Sequence, residues 1–174
     1  MTTTITGAGG INRVIDGADM PSGSVLQVKQ SLMTTKQVIA SPSYVDVLTL
    51  AITPSSTSSK ILINFSVSVG TAGGGEAAHI QIERGGTAIG VGDARGNRSR
   101  AFTVCGAQVD DDAMGSASGM YLDSPSSTSS LTYTIAVHGW GGSNPVNINC
   151  TGNDTNAVNY ATTVSTITLQ EIAG

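Results

Sequence analysis

One six-residue phrase occurs twice in this chain, and it limits the folds that the chain can adopt. Residues 54–59 and residues 125–130 both read Pro-Ser-Ser-Thr-Ser-Ser. Proline cannot donate to a β-ladder, and short hydroxyl side chains bond to nearby backbone, so each copy is predicted to be a turn. Strand-forming residues follow both copies, and residues 47–52 form a similar run before the first. We therefore predict a hairpin over residues 47–69.

The strands that follow the two copies differ in phase. Counted from the proline, the alternating apolar residues begin at Ile61 after the first copy and one residue earlier, at Leu131, after the second. A shift of one residue turns every side chain of a strand to the opposite face. The copies are therefore not units of a regular repeat, and they predict two similar corners within one β fold.

Composition and turn signals predict an all-β domain. Charged residues make up 11% of the chain, against about 25% in typical soluble domains, and no segment has a sustained helical period. Short strands alternate with turn signals such as the hairpin pair Gly85-Gly86. This pattern predicts an antiparallel two-sheet sandwich, with a jelly roll as the first choice. An immunoglobulin-like sandwich is second, because Trp140 precedes Cys150 too closely for the usual Cys…Trp…Cys spacing.

Residues 1–23 differ from the rest of the chain. They are polar and glycine-rich, with four isolated aliphatic residues, Ile5, Ile11, Val14 and Ile15. A frayed terminus is one interpretation. The other, which we favour because disorder gives no reason for these four residues, is an arm that lays them into grooves on a neighbouring subunit. We thus divide the chain into an extended N-terminal arm, 1–23, and a jelly-roll domain, 24–174.

Several classes of function find no support in the sequence. The net charge of -4 and the pI of about 4.8 argue against nucleic-acid binding. No apolar run reaches the roughly 18 residues of a membrane span, and the N-terminus lacks the pattern of a signal peptide. No serine-nucleophile, phosphate-loop or zinc-site motif is present. We expect no enzymatic activity, no cofactor, no metal, no nucleic-acid partner and no membrane insertion, and we expect Cys105 and Cys150 to be unpaired buried thiols.

Three of the eight cations lie in one predicted loop, at Arg95, Arg98 and Arg100. Clustered arginines can bind a carboxylate, phosphate or sulfated glycan through paired hydrogen bonds. The simpler interpretation, which we favour, is a set of ion pairs with a run of aspartates, within one chain or across a subunit boundary. That run is Asp110, Asp111 and Asp112. It lacks the ligand spacing of a calcium-binding loop.

Trp140 is the only tryptophan, and glycines flank it on both sides. It is either an exposed aromatic platform for a sugar or a core residue that fills space left by small neighbours. The sequence does not favour one interpretation over the other.

Residues 43–63, which read SYVDVLTLAITPSSTSSKILI, carry a family resemblance. This stretch resembles the β-rich virion proteins of tailed bacteriophages, in which such a phrase occurs in tail-fibre or head-decoration modules. The lead-in at 21–28 and the strand, hairpin and strand at 80–89 are similar too. The resemblance covers residues 20–90 well and the remainder loosely. It implies a jelly-roll subunit, commonly trimeric, on the outside of a virion that is assembled in the cytoplasm of a bacterial host.

Within that family, we expect a homotrimeric capsid decoration or cement protein that binds the major capsid protein, or other virion proteins, through its arm. Only about twenty residues precede the first strand, whereas a tail fibre normally carries a long shaft. The rivals are a tail-fibre or receptor-binding tip that attaches to a host surface glycan and, less favoured, a free carbohydrate-binding module. A tip would place exposed aromatic residues in its distal loops, and a free module would need no arm.

Overall fold

The computed structural model describes residues 20–71, 77–106, 110, 112–139 and 145–174, and these ranges contain β-strands and no helix. The strands are β1 Val25–Met33, β2 Gln37–Ile39, β3 Val45–Ile52, β4 Lys60–Thr71, β5 Ala78–Arg84, β6 Thr87–Ile89, β7 Thr103–Cys105, β8 Gly115–Asp123, β9 Leu131–His138, β10 Val146–Ile148 and β11 Ser165–Ile172. The arm residues Ile5, Ile11, Val14 and Ile15 lie outside the described residues, as do Asp111 and Trp140.

The strands form two antiparallel sheets that pack as a sandwich. In the first sheet, β4 lies between β11 and β8, with β1 on the outer side of β11. The short strands β10 and β2 continue this sheet beyond the end of β11. The second sheet runs β3-β9-β5, and both β6 and β7 pair with β5. This strand order, with most connections crossing between the sheets, is a jelly roll, so the predicted fold class is confirmed.

The predicted hairpin over residues 47–69 is wrong. β3 pairs with β9 in the second sheet, whereas β4 pairs with β11 and β8 in the first. The segment between β3 and β4 therefore crosses the roughly 10 Å that separate packed sheets. A strand-turn-strand pattern shows that the chain reverses, but it does not show whether the strands lie side by side or face each other across a core. Here the two strands lie in different sheets, and β3 packs against β1 and β11 of the first sheet.

The hairpin predicted at Gly85-Gly86 is confirmed. β5 and β6 pair directly, with Arg84 opposite Thr87. Both glycines have positive φ angles, 56° and 77°, which this tight turn requires and which side chains with a Cβ rarely adopt.

The repeated phrase forms two corners, as predicted, and both lie at the same end of the sandwich. Ile61, at the start of β4, pairs with Asp123 at the end of β8. In the other sheet, Ile52 at the end of β3 pairs with Leu131 at the start of β9. The two copies therefore lie side by side and cross between the sheets in opposite directions.

The two corners share a local turn and then diverge. The N–H of Ser58 donates to the Ser56 hydroxyl at 3.2 Å, and the equivalent N–H of Ser129 donates to the Ser127 hydroxyl at 3.0 Å. Ser126 has a φ of 51°, a left-handed conformation that is uncommon for serine. The inward residues of β4 are those predicted, Ile61, Ile63, Phe65, Val67 and Val69, and all are buried.

Glu171 is buried at this end of the core, with 1% of its surface exposed. One carboxylate oxygen accepts hydrogen bonds from the Ser55 N–H at 2.6 Å and from the Ser55 and Ser59 hydroxyls at 2.7 Å each. The other accepts from Gln27 Nε2 at 2.6 Å. Burial alone would raise the pKa of Glu171, but the hydrogen bonds from Gln27, Ser55 and Ser59 outweigh burial and lower that pKa. Glu171 thus fixes the first corner to β11 and β1.

Asp123 plays the corresponding part beside the second corner. Its carboxylate accepts from Arg84 Nη1 and from the Tyr133 hydroxyl, each at 2.7 Å. Both donors belong to the second sheet, so Asp123 ties the sheets together. Burial and the neighbouring Asp123 carboxylate raise the pKa of the Tyr133 phenol. Asp123 and Glu171 are the two strand neighbours of Ile61, one on each side of β4.

Replacement of Glu171 tests this account of the first corner. The pKa of Glu171 is lower in the folded chain than its ordinary value of 4.5, so the carboxylate stabilises the fold above that pH. The stabilisation is lost as the pH falls through the folded-state pKa. An amide replaces one acceptor oxygen with a donor, so Glu171→Gln should lower the free energy of unfolding by about 2 kcal/mol at pH 7. The difference should shrink towards pH 3 in denaturant titrations.

The matched control is Asp93→Asn, which changes an exposed carboxylate and should alter stability by less than about 0.5 kcal/mol. Equal unfolding free energies for Glu171→Gln and the unmodified protein at pH 7 would contradict the account.

Candidate functional site

Apart from Lys60 at the start of β4, the outward positions of β1, β11, β4 and β8 on the first sheet carry no charged residue. We call this surface the uncharged face, and its outward side chains are Val28, Gln30 and Leu32; Thr166, Thr168 and Gln170; Leu62, Asn64, Ser66 and Ser68; and Ser116, Ser118, Met120 and Leu122. Lys60 lies at its end, opposite Ile172.

Large apolar side chains are exposed on the uncharged face. Met120 is 63% exposed, Val28 57% and Leu32 56%. Small hydroxyl side chains lie between them, such as Ser66 and Ser116, whose oxygens are 3.3 Å apart. Another protein can cover such a surface without burying an unpaired charge, which is a large cost at many interfaces.

The outer surface of the second sheet is different, because it carries titratable groups. His79 on β5 pairs with His138 on β9, and their rings lie 4.5 Å apart at an angle of 67°. Burial lowers the pKa of His79, and the neighbouring His138 lowers it further. Along the same strand, burial and the nearby Asp46 raise the pKa of Glu83.

A loop that contains the three predicted arginines folds over this second surface; we call it the arginine loop, residues 92–101. Its base is closed by a hydrogen bond from the Gly92 N–H to the Ala101 carbonyl at 3.2 Å. The Arg100 carbonyl accepts from the Tyr44 hydroxyl at 3.0 Å and from Gln81 Nε2 at 2.5 Å. The loop is therefore held to the sheet by its backbone.

Ser99 and His138 attach the tip of the arginine loop to the sheet. His138 Nδ1 lies 2.6 Å from the Gly139 carbonyl oxygen, which can only accept, so Nδ1 carries the proton. His138 Nε2 then accepts from the Ser99 hydroxyl at 2.8 Å. The Gly139 carbonyl carries no negative charge that would stabilise a protonated His138. The Ser99–His138 hydrogen bond is therefore suited to holding the loop and not to activating Ser99 as a nucleophile. Tyr44 packs edge-on against His138 at 4.6 Å.

A pocket of about 500 Å³ lies between the arginine loop and the two imidazoles. It is lined by Pro42, His79, Asn97, Arg98, Ser99, His138 and Gly139. None of these described lining residues is acidic. Arg98 supplies the pocket's fixed positive charge, and its Nη1 donates to the Arg95 carbonyl at 3.3 Å.

The predicted ion pairs stay a prediction. Asp110 and Asp112 are exposed, and no ion pair joins them to the arginine loop among the described contacts, which exclude Asp111. Arg100 instead donates from Nε to the Gly92 carbonyl at 2.7 Å.

Sequence reasoning missed the cluster of His79, His138 and Tyr44. The two histidines lie far apart in sequence, and only the pairing of β5 with β9 brings them together. Each occupies an outward position of its strand, which was the available signal. It could not be used without knowing which strands are neighbours.

In the part of the chain that the structure describes, the remaining titratable and sulfur groups are not gathered into a metal site. Cys105 and Cys150 are buried thiols that form no disulfide, as predicted, and burial raises the pKa of both thiols. Within the described ranges, no group of three or more His, Cys, Asp or Glu side chains is placed to hold a metal ion. The same ranges contain no helix long and apolar enough to cross a membrane.

Comparisons with known proteins gave structural matches but no sequence family. No protein-family model and no curated protein matches the chain. Twelve chains of solved structures match it. One belongs to the structure of infectious bursal disease virus, Gx strain, at 12% identity and a TM-score of 0.40. That match covers 97% of this chain and 41% of the viral chain, so this chain spans less than half of its neighbour's length.

Proposed function

We propose that this protein is a structural subunit of a bacteriophage particle that associates with copies of itself through the uncharged face. The resemblance of residues 20–90 to β-rich virion proteins supplies the setting. The self-association is inferred from the absence of charge at the outward positions of β1, β11, β4 and β8, apart from Lys60 at the start of β4.

Charge explains why a second copy suits this face. Each chain has a net charge of -4, so two copies repel at most approaches. Contact through the uncharged face brings no like charges together and desolvates no ion. Exposed Met120, Val28 and Leu32 supply apolar contact, and the hydroxyl and amide side chains around them supply hydrogen bonds. Depletion of charge is typical of interface cores.

In its most specific form, the proposal is a homotrimeric decoration or cement protein of the capsid. Closed three-fold assemblies reuse one pair of different patches around the ring. The uncharged face would be one element of that contact, and ion pairs from Arg95 and Arg100 of the arginine loop to Asp110–Asp112 of a neighbour would be another, leaving Arg98 exposed. The arm, with Ile5, Ile11, Val14 and Ile15, would bind the major capsid protein or another virion protein.

A charge placed on the uncharged face should block self-association. Met120 points outward and is 63% exposed in the single chain, so Met120→Glu should leave folding unchanged. Each contact would then bury an unpaired carboxylate, and sedimentation should show the complex dissociating at concentrations where the unmodified protein is trimeric. The control Ala51→Glu places the same charge at an exposed outward position of the second sheet. If both variants assemble normally, or if the unmodified protein is a monomer at micromolar concentration, the proposed contact is wrong.

Deletion of residues 2–20 separates attachment from assembly. A fully buried aliphatic side chain contributes roughly 1.5–3 kcal/mol, so four of them would offset much of the cost of ordering the arm. The truncated protein should fold and self-associate, but it should no longer bind phage particles in a co-sedimentation assay. Binding of the full-length protein to empty heads and not to purified tails would support the decoration role. Normal occupancy by the truncated protein would show that the arm is dispensable.

A further inference from the structure

We propose that the pocket between the arginine loop and the His79–His138 pair binds an acidic sugar, through a carboxylate held by Arg98. This inference is independent of self-association, because the pocket lies on the second sheet, opposite the uncharged face. A subunit that is covered on its first sheet would still present the pocket to solvent.

The charges around the pocket select an anion. The chain as a whole is acidic, with a net charge of -4, yet the described lining residues include one arginine, two imidazoles and no carboxylate. Arg98 is exposed, and among the described contacts its guanidinium makes one long hydrogen bond, 3.3 Å from Nη1 to the Arg95 carbonyl. A guanidinium has five N–H donors in a planar fork. Most of that fork is therefore available for two parallel hydrogen bonds to a carboxylate.

The other walls suit a sugar ring. The Asn97 amide can donate to ring hydroxyls, and the Ser99 hydroxyl can accept from one while it donates to His138. Pro42 and the two imidazole rings offer flat, largely apolar surfaces against which the C–H face of a sugar can pack. The volume of about 500 Å³ lies within the range of roughly 300–1,000 Å³ that is usual for small-ligand pockets.

The arginine loop is fixed before any ligand arrives. Tyr44 and Gln81 hold the Arg100 carbonyl, and His138 holds Ser99. Arg98 and Asn97 immediately precede these fixed positions in the chain. Binding therefore does not have to order the loop backbone, and such preorganisation favours affinity for a small ligand.

The test is calorimetric titration of the full-length protein with D-glucuronate and with D-glucose, which share a ring and differ in the carboxylate. We expect glucuronate to bind at least about tenfold more tightly than glucose. Arg98→Ala should remove that preference, and Arg98→Lys should restore part of it, because lysine keeps the charge but not the planar fork. Arg95→Ala is the matched control: it removes an arginine of the same loop that does not line the pocket, and it should leave binding unchanged.

Three other results of these titrations would contradict the proposal. Equal affinity for glucuronate and glucose, or no binding of either, would exclude an acidic-sugar site. Acetate or sulfate binding as tightly as glucuronate would leave a bare anion site and exclude the sugar. Equal losses from Arg98→Ala and Arg95→Ala would place the anion outside the pocket. Since the arginine side chains are exposed, unchanged thermal midpoints should show that all three variants are folded.

Discussion

The fold depends on how one end of the sandwich is closed by two buried carboxylates. Glu171 and Asp123 lie on either side of Ile61 in β4. Glu171 accepts hydrogen bonds from the first corner, and Asp123 accepts them from Arg84 and Tyr133 of the second sheet. A buried carboxylate without such hydrogen-bond donors would cost several kcal/mol. The buried position of each carboxylate therefore depends on the donors around it. The inward orientation of the two carboxylates also sets the phase of β8 and β11. The residues next to them, Leu122 and Gln170, are thereby directed to the uncharged face.

The two outer surfaces of the sandwich are consequently unlike. Apart from Lys60, the first sheet presents small polar and apolar side chains without charge. The second sheet carries His79, His138, Glu83 and Asp46, and the arginine loop is hydrogen-bonded to it at Gln81 and His138. A subunit of this kind can associate through the uncharged face and keep the outer surface of its second sheet exposed to solvent. The proposed assembly contact and the proposed sugar pocket therefore lie on opposite faces of the subunit.

Local signals in the sequence predicted local structure well. The Gly85-Gly86 hairpin, the inward residues of β4 and the one-residue phase difference between the corners all follow from alternation and turn chemistry. The hairpin over 47–69 failed because the pairing partner of β3 is β9, more than eighty positions away in the chain. β10 was missed because Val146–Ile148 is too short to show alternation. The pocket was missed for a related reason, since its walls come from four separate segments that only the sheet brings together.

The most direct test of this division between the two faces is oxidative footprinting of assembled and dissociated protein, read out by mass spectrometry. Met120 is 63% exposed in the single chain, and exposed methionine is readily oxidised. The account predicts that assembly protects Met120 and Leu122 strongly while Pro42 and Arg98, beside the pocket, react as they do in the separated subunit. Equal oxidation of Met120 in both states, together with protection of Pro42 and Arg98, would contradict it.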